Sequence, residues 1–484
     1  MEKYYLVFFI LLIPVFVLAV KPQGTLQKTP ITVITSQPSA VSVPLSVVLG
    51  RPTTSTITTN VRMGDIGGGS QAQAYLEYGS GGGVFPLQTN TVSLGPNETR
   101  EFLLTGLMSD SVYSYRVRVM PPGGIDYEAT PEYTFPTQRT YNSNFIFALI
   151  TDSHITFNGT NIETLKGITR NLAGYSPDFV VALGDNIQTP ASTGCGNSCP
   201  IPNETTGRKL YSNLREAVSE ISPNIPFYLV IGNWEGENGW FNQSQIDFAR
   251  GFRMAYFPNP DQTTYVQSGS QYQDYYSWTW GDALFITLNV MTYTPTDHRL
   301  FQGEADDWTL GQQQLDWLNQ TLISNSNKKW KFIFIHHSVG GNAVFPWDAG
   351  SRYGRGGGRA AYVGEQAVVH RMMRDNGVDV FFHGHDHCFV DMVVDGIHYS
   401  QPGVAGDSFE FCDESGHPEG IRSKGHAIVT VTRNTAVVDF FDQSNLRIGG
   451  YVIDKTPTGG PSGSPLIMKQ APGYVIVPPH GSAK

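Results

Sequence analysis

Beyond Asn144 the chain is punctuated by six short apolar runs: FIFALI (145–150), FVVALG (179–184), FYLVIG (227–232), ALFITLN (283–289), KFIFIHH (331–337) and DVFFHGH (379–385). Each is too short for an independent helix, and none alternates as a half-exposed strand must. Continuous apolar runs of this length, bounded by turn residues, are what strands covered on both faces look like. Between them lie stretches with helical spacing, NIETLKGITRNLAG (161–174), GQQQLDWLNQTLI (311–323) and GEQAVVHRMMRDNG (364–377). The expected architecture over residues 144–442 is therefore α/β, with layered β-sheets flanked by helices. GHAIVTVTR (425–433) and TAVVDFFD (435–442) are read as its closing strands.

The chain has 484 residues, more than one hydrophobic core usually serves, so further domains are expected. Residues 41–138 carry β-branched or alternating segments at short intervals, VSVPLSVV, STITTNVRM, AYLEYG, TREFLLTGL, VYSYRVRVM and EYTFPTQ, separated by Gly-rich turns. They predict an all-β sandwich. Leu107–Val117 resembles the strand entry of a fibronectin type III-like domain, with Tyr113 either a tyrosine corner or a surface-facing strand residue. Residues 1–20 hold the apolar run Tyr4–Val20, expected to act as a cleaved signal peptide, or as an anchor if it is retained. Residues 21–40 are a Pro/Thr/Ser-rich linker, and 443–484 a Gly/Pro-rich C-terminal tail. Sequons at Asn97, Asn158, Asn203, Asn242 and Asn319 fit a secreted, glycosylated chain. In an oxidising compartment the four cysteines imply two disulfides. Cys195 with Cys199 and Cys388 with Cys412 is the expected pairing of three that are available.

The ends of the apolar strands carry the chemistry, at the edge where open α/β sheets place their ligands. FALI leads into Asp152 and His154, VVAL into Asp185, YLVI into Gly232-Asn233, FIFI into His336 and His337, and DVFF into His383, His385 and His387. Carboxylates, one amide and several imidazoles form a donor set suited to zinc, iron or manganese. A net charge of −10 and the lack of a long basic run argue against gripping a nucleic-acid duplex, whereas a metal centre can draw in a small anion locally.

Taken in order, D-x-H, G-D, G-N, a strand-end histidine and G-H-x-H resemble the signature of the calcineurin-like metallophosphoesterase superfamily. With a β-sandwich in front, the layout is similar to that of purple acid phosphatases. The resemblance implies two divalent or trivalent transition metal ions (Fe, Zn or Mn). Asp152, His154, Asp185 and His387 would hold one ion, and Asp185, Asn233, His336 and His385 the other, with Asp185 bridging. It implies hydrolysis of a small phosphate ester, the ions activating water and offsetting charge in the in-line transition state. Two departures stand out. Gln188 occupies the place of the tyrosine that colours a purple ferric centre, and Trp234 replaces the histidine of G-N-H that assists the leaving group. His337 is the candidate substitute, so Asp185, Trp234 and His337 are the residues expected to shape catalysis. Asn233, and Arg352 and Arg355 in the Gly-rich loop SRYGRGGGR (351–359), are expected to contact substrate phosphate. The resulting expectation is a secreted phosphomonoesterase. A phosphodiesterase or nucleotide-hydrolysing enzyme on the same site, and a non-catalytic cell-surface protein that kept the fold, are the alternatives. Membrane contact is expected only if the leader stays uncleaved, and nothing in the sequence bears on oligomeric state.

Overall fold

The computed structural model describes residues 41–66, 69–191, 198–296, 308–337, 364–406 and 420–457. The expected leader and linker, Arg352, Arg355, Cys195 and Cys412 lie outside the described residues.

The N-terminal region is built from β1 (Leu45–Gly50), β2 (Ile57–Met63), β3 (Ala72–Gly79), β4 (Leu87–Gln88), β5 (Val92–Leu94), β6 (Thr99–Leu104), β7 (Val112–Met120), β8 (Glu128–Ala129) and β9 (Tyr133–Pro136). One sheet has the order β1-β2-β6; the other runs β4-β3-β7-β8, with β5 beside β3 and β9 beside β7. Alternate side chains of β3 (Ala72, Ala74, Leu76) and β7 (Tyr113, Tyr115, Val117, Val119) enter one shared core, as the period of two requires. Tyr113 is buried, and its hydroxyl accepts the Met108 backbone N–H at 3.0 Å. That is the geometry of a tyrosine corner rather than of a surface residue.

The rest comprises β10 (Phe145–Ile150), β11 (Ile155–Thr156), α1 (Ile162–Ala173), β12 (Phe179–Ala182), β13 (Ile187–Gln188), α2 (Glu204–Ala217), β14 (Phe227–Leu229) and α3 (Gln243–Tyr256). These are followed by β15 (Tyr276–Trp280), β16 (Ala283–Thr287), α4 (Gln312–Ser324), β17 (Trp330–Phe334), α5 (Gly364–Asp375) and β18 (Val380–Phe382). The last strands are β19 (Phe389–Val394), β20 (Ile397–Pro402), β21 (Gly425–Val431), β22 (Thr435–Asp442) and β23 (Arg447–Asp454). Two six-stranded sheets result, β14-β12-β10-β21-β22-β23 and β15-β16-β17-β18-β20-β19. Phe145, Phe147 and Leu149 of β10 meet Trp330, Phe332 and Phe334 of β17 in the core between the sheets. The intervening Ala148 and Ile150 face outward onto α1 and α2, through Leu165, Ile168, Leu172, Leu210 and Leu214. Ile333 and Ile335 likewise face α4 and α5, through Leu315, Leu318, Leu322, Val369 and Met373. Burial on both faces is why the strand sequences are apolar throughout.

One boundary moves. The domain expected to close at residue 442 continues through β23, which pairs antiparallel with β22, so the first part of the expected tail belongs to the sheet. Its Gly449-Gly450 step and its half-exposed edge position remove the apolar signature that identified the other strands.

The sandwich is tied to the α/β region by Arg215 of α2, which is 1% exposed. Its Nε donates to Ser46 Oγ (2.8 Å), Nη1 to Asn60 Oδ1 (2.8 Å) and the Tyr256 carbonyl (2.6 Å), and Nη2 to the Ser46 (2.6 Å) and Asn60 (3.0 Å) carbonyls. All five acceptors are neutral. Burial, with Arg62 nearby, pulls the guanidinium down to about 9. On β21, His426 is fully buried and stacks on Phe441 (centroids 5.4 Å, 14°).

Candidate metal centre

Five strands, β10, β12, β14, β17 and β18, deliver the expected side chains just beyond their C-terminal ends. Three of these strands are parallel neighbours in the first sheet and two in the second, so the ends converge from both sides of the central core. Asp152, His154 and His387 offer ligand atoms within 4.8 Å of one another, and Asp185, His336 and His385 form a second such group. Each group draws on both sheets.

Distances within the two groups define the centre. His154 Nε2 stands 3.3 Å from His387 Nε2, and Asp152 Oδ1 stands 3.2 Å from His387 Nε2. Asp185 Oδ2 lies 3.6 Å from His154 Nε2 and 3.1 Å from His336 Nε2, one oxygen between the two groups. Asn233 joins the second, its Oδ1 3.2 Å from His336 Nε2. His336 turns Nδ1 to the Leu183 carbonyl at 2.8 Å, so Nε2 is the atom that would ligate a cation. Aimed imidazole nitrogens, a shared carboxylate oxygen and a backbone-anchored histidine are what a pair of cations requires, and these side chains fit one.

The backbone makes the same point. Asp152 (φ 53°), His154 (45°), Asp185 (48°), His385 (78°) and His387 (56°) are all left-handed, a conformation non-glycine residues adopt rarely and at a cost of about 1 kcal/mol or more. Five of the seven expected ligands share it. Strain concentrated at one spot is held there by the surrounding hydrogen bonds. Thr151 Oγ1 donates to Asp152 Oδ2 at 2.6 Å, and the His385 N–H to the same oxygen at 3.0 Å. The Trp234 N–H donates to Asp185 Oδ1 at 2.8 Å. Glycine is required where loops touch: a Cβ on Gly232 would land on the Asp185 carboxylate, and one on Gly384 on the Thr151 hydroxyl.

Charge is balanced inside the cage. Burial works against ionising Asp152, but His387 and His336 outweigh it and hold the carboxyl well below the usual range. Burial pulls His336 down, yet Asp185 and Asp152 push it up to about 9. Cations taken up here therefore displace protons.

Glu235 was not singled out in the sequence, and its position explains the gap. It is buried behind the centre and accepts from the N–H groups of Asp185 (3.2 Å), Asn186 (2.7 Å) and Gly232 (2.8 Å), clasping two ligand loops together. Burial and the Asp185 charge push it up to about 7. The available signal was an acidic residue two places after Asn233.

Trp234 is half-buried, its indole edge-on to His154 at 5.9 Å. His337 is buried, with its ring 4.5 Å from His385 and 3.9 Å from Trp308. Gln188 sits on β13, paired with Thr156 of β11. Cys199 is disulfide-bonded, and Cys388 is buried directly after His387.

The profile of the calcineurin-like phosphoesterase family matches residues 145–389, about half of the chain. Among solved structures, that of PhoD superposes with a TM-score of 0.65 at 14% identity, covering 89% of this chain and 92% of that one. GAP50, the anchor in the inner membrane complex of Plasmodium, gives 0.43 at 14% identity over 65% of this chain and 90% of its own. Vacuolar Protein Sorting 29 from Cryptosporidium parvum gives 0.29 at 14% identity over 64% and 99%. Only the first is close enough to compare folds, and it shares the β-rich region as well as the two-sheet domain. No curated protein matches by sequence.

Proposed function

The chain belongs to the calcineurin-like phosphoesterase family and is a metal-dependent phosphoesterase, and from that premise we propose that it is an exported enzyme hydrolysing phosphomonoesters. The observation that supports the two-cation part of this reading is Asp185 Oδ2, which lies 3.6 Å from His154 Nε2 and 3.1 Å from His336 Nε2, where one carboxylate would serve two cations. Asp152, His154 and His387 would complete one site, and Asn233, His336 and His385 the other. When bound, the pair supplies an activated water and positive charge for the phosphoryl oxygens.

The chain's own groups do the rest. Neutral Asn233 keeps the cage from being too negative to admit a phosphate. His337, packed between His385 and Trp308, is the imidazole available to give a proton to the departing alkoxide, a step in which an indole at Trp234 cannot substitute. Arg352 and Arg355 remain proposed phosphate contacts. Export is supported by the leader and by the sequons, whose five asparagines are all exposed or half-exposed in the fold. A second reading, cleavage of a diester or nucleotide, draws on Trp234, whose half-exposed indole beside His154 offers a flat surface to an aromatic leaving group.

Metal analysis and an ester panel test the proposal together. Two transition metal ions per chain are expected. Asp185→Asn should loosen both and remove most turnover. Full activity in Asp185→Asn, or a wild-type protein that takes up no metal, refutes the two-cation reading. Two bound ions with no turnover on any ester would mark a binding protein instead.

A further inference from the structure

Asn233 is an ambiguous ligand in a way a carboxylate is not. One end of its amide attracts a cation and the other repels it. The terminal torsion of asparagine has a broad, roughly two-fold profile, so packing alone does not choose between them. Hydrogen bonds must. The Asn233 carbonyl is fixed by Asn238 Nδ2 at 2.9 Å, which anchors the main chain but leaves the amide free to turn. At the side chain, Nδ2 donates to Ser198 Oγ at 2.8 Å, a buried bond between residues far apart in sequence.

Ser198 is itself held firmly. It is 1% exposed, has a left-handed backbone (φ 60°) and precedes Cys199, which is buried and disulfide-bonded. We propose that Ser198 is a positioning residue for the second cation site: it accepts the Asn233 amide hydrogen and so turns Oδ1 toward His336 and Asp185. A hydroxyl could pair with either end of an amide, but only the observed orientation leaves Nδ2 satisfied and an oxygen facing the site. Without Ser198 Oγ, Nδ2 becomes a buried donor lacking that partner, and the orientation that ligates is no longer favoured. The inference rests on the proposed membership of Asn233 in the cation site.

The left-handed backbone supplies a clean variant. Glycine adopts φ near 60° without penalty, so Ser198→Gly removes the hydroxyl while suiting the loop. Metal-free wild-type protein, Ser198→Gly and Ser198→Ala are titrated with Zn²⁺ and separately with Mn²⁺ by calorimetry, each also in an Asn233→Asp background. Supporting partners of metal ligands are typically worth about 10- to 100-fold in affinity. Ser198→Gly should therefore weaken one of the two binding events by about that factor, and Ser198→Ala, which keeps the Cβ and loses only the hydroxyl, should weaken it equally. With Asn233→Asp both terminal atoms are oxygens, orientation ceases to matter, and the Ser198→Gly effect should shrink to about threefold or less. Unchanged affinity in Ser198→Gly, or an equal loss in both backgrounds, overturns the positioning role. Wild-type protein that fails to take up two ions sinks the cation-pair reading itself, and this inference with it. Should Ser198→Gly fail to fold, Ser198→Ala gives the same comparison.

Discussion

His426 should make the fold acid-sensitive, and the size of the effect follows from its surroundings. Its ring is fully buried between Phe441 and Tyr175, and among the described residues neither ring nitrogen meets a hydrogen-bond partner. Burial lowers its pKa from 6.5 to about 4, against the weaker upward pull of Asp442. A histidine depressed in the folded state leaves stability unaffected above the unfolded pKa, and costs stability as pH falls, because the unfolded chain takes the proton first. The window runs from about pH 6.5 to 4. Integrating across it, the loss between pH 7 and pH 4.5 is about 2 kcal/mol, a large fraction of a typical domain's stability. Carboxylates elsewhere also titrate on acidification, so the measurement is a difference. Urea unfolding of wild type and His426→Phe is followed at pH 7 and pH 4.5. Phenylalanine keeps the stacked aromatic volume and cannot be protonated. The variant should gain about 2 kcal/mol on wild type between the two pH values. A constant difference between the two proteins at both pH values would refute the argument.

Three further outcomes are expected. His337→Ala should slow alkyl phosphate hydrolysis by about a hundredfold or more while sparing nitrophenyl phosphate and leaving metal content unchanged; equal losses on both esters would remove His337 from the proton-donor role. Iron-loaded protein should show no intense visible tyrosinate band, because Gln188 stands where a phenolate would bind, and absorption spectroscopy reads this directly. Arg215→Ala should destabilise the protein to urea by about 2–4 kcal/mol by stranding the acceptors of a buried guanidinium; a change below about 0.5 kcal/mol would show that the sandwich is held on by other contacts.

Most of the candidate centre was legible in the sequence because each expected ligand follows an apolar strand, and a strand buried on both faces announces itself. Asp152, Asp185, Asn233, His336 and His385 could be placed that way, and α1, α4 and α5 by helical spacing. Other features left weaker traces. β15 (YSWTW) and β23 (RIGGYVID) interleave polar residues or glycines with apolar ones, since an edge strand need not be apolar throughout. Glu235, Thr151 and Ser198 escaped for another reason. Their importance lies in hydrogen bonds to residues on other loops, Ser198 reaching Asn233 and Glu235 reaching Asp185, and no local pattern encodes such a pairing. The left-handed ligands were equally invisible, because backbone strain is imposed by the completed fold rather than by the residues that bear it.

Because each candidate cation site takes side chains from both sheets, neither is assembled on an unfinished chain. More than two hundred residues separate Asp152 from His387, and the histidines of the second sheet leave the ribosome long after Asp152, His154 and Asp185. A nascent polypeptide thus carries scattered, weak donors and no chelating cage. Loading of such a centre would wait until the last of these strands has docked against the first sheet, so the compartment in which folding finishes would decide which metals the protein meets. That order of events would make metal identity a property of where the chain matures as well as of what its side chains prefer.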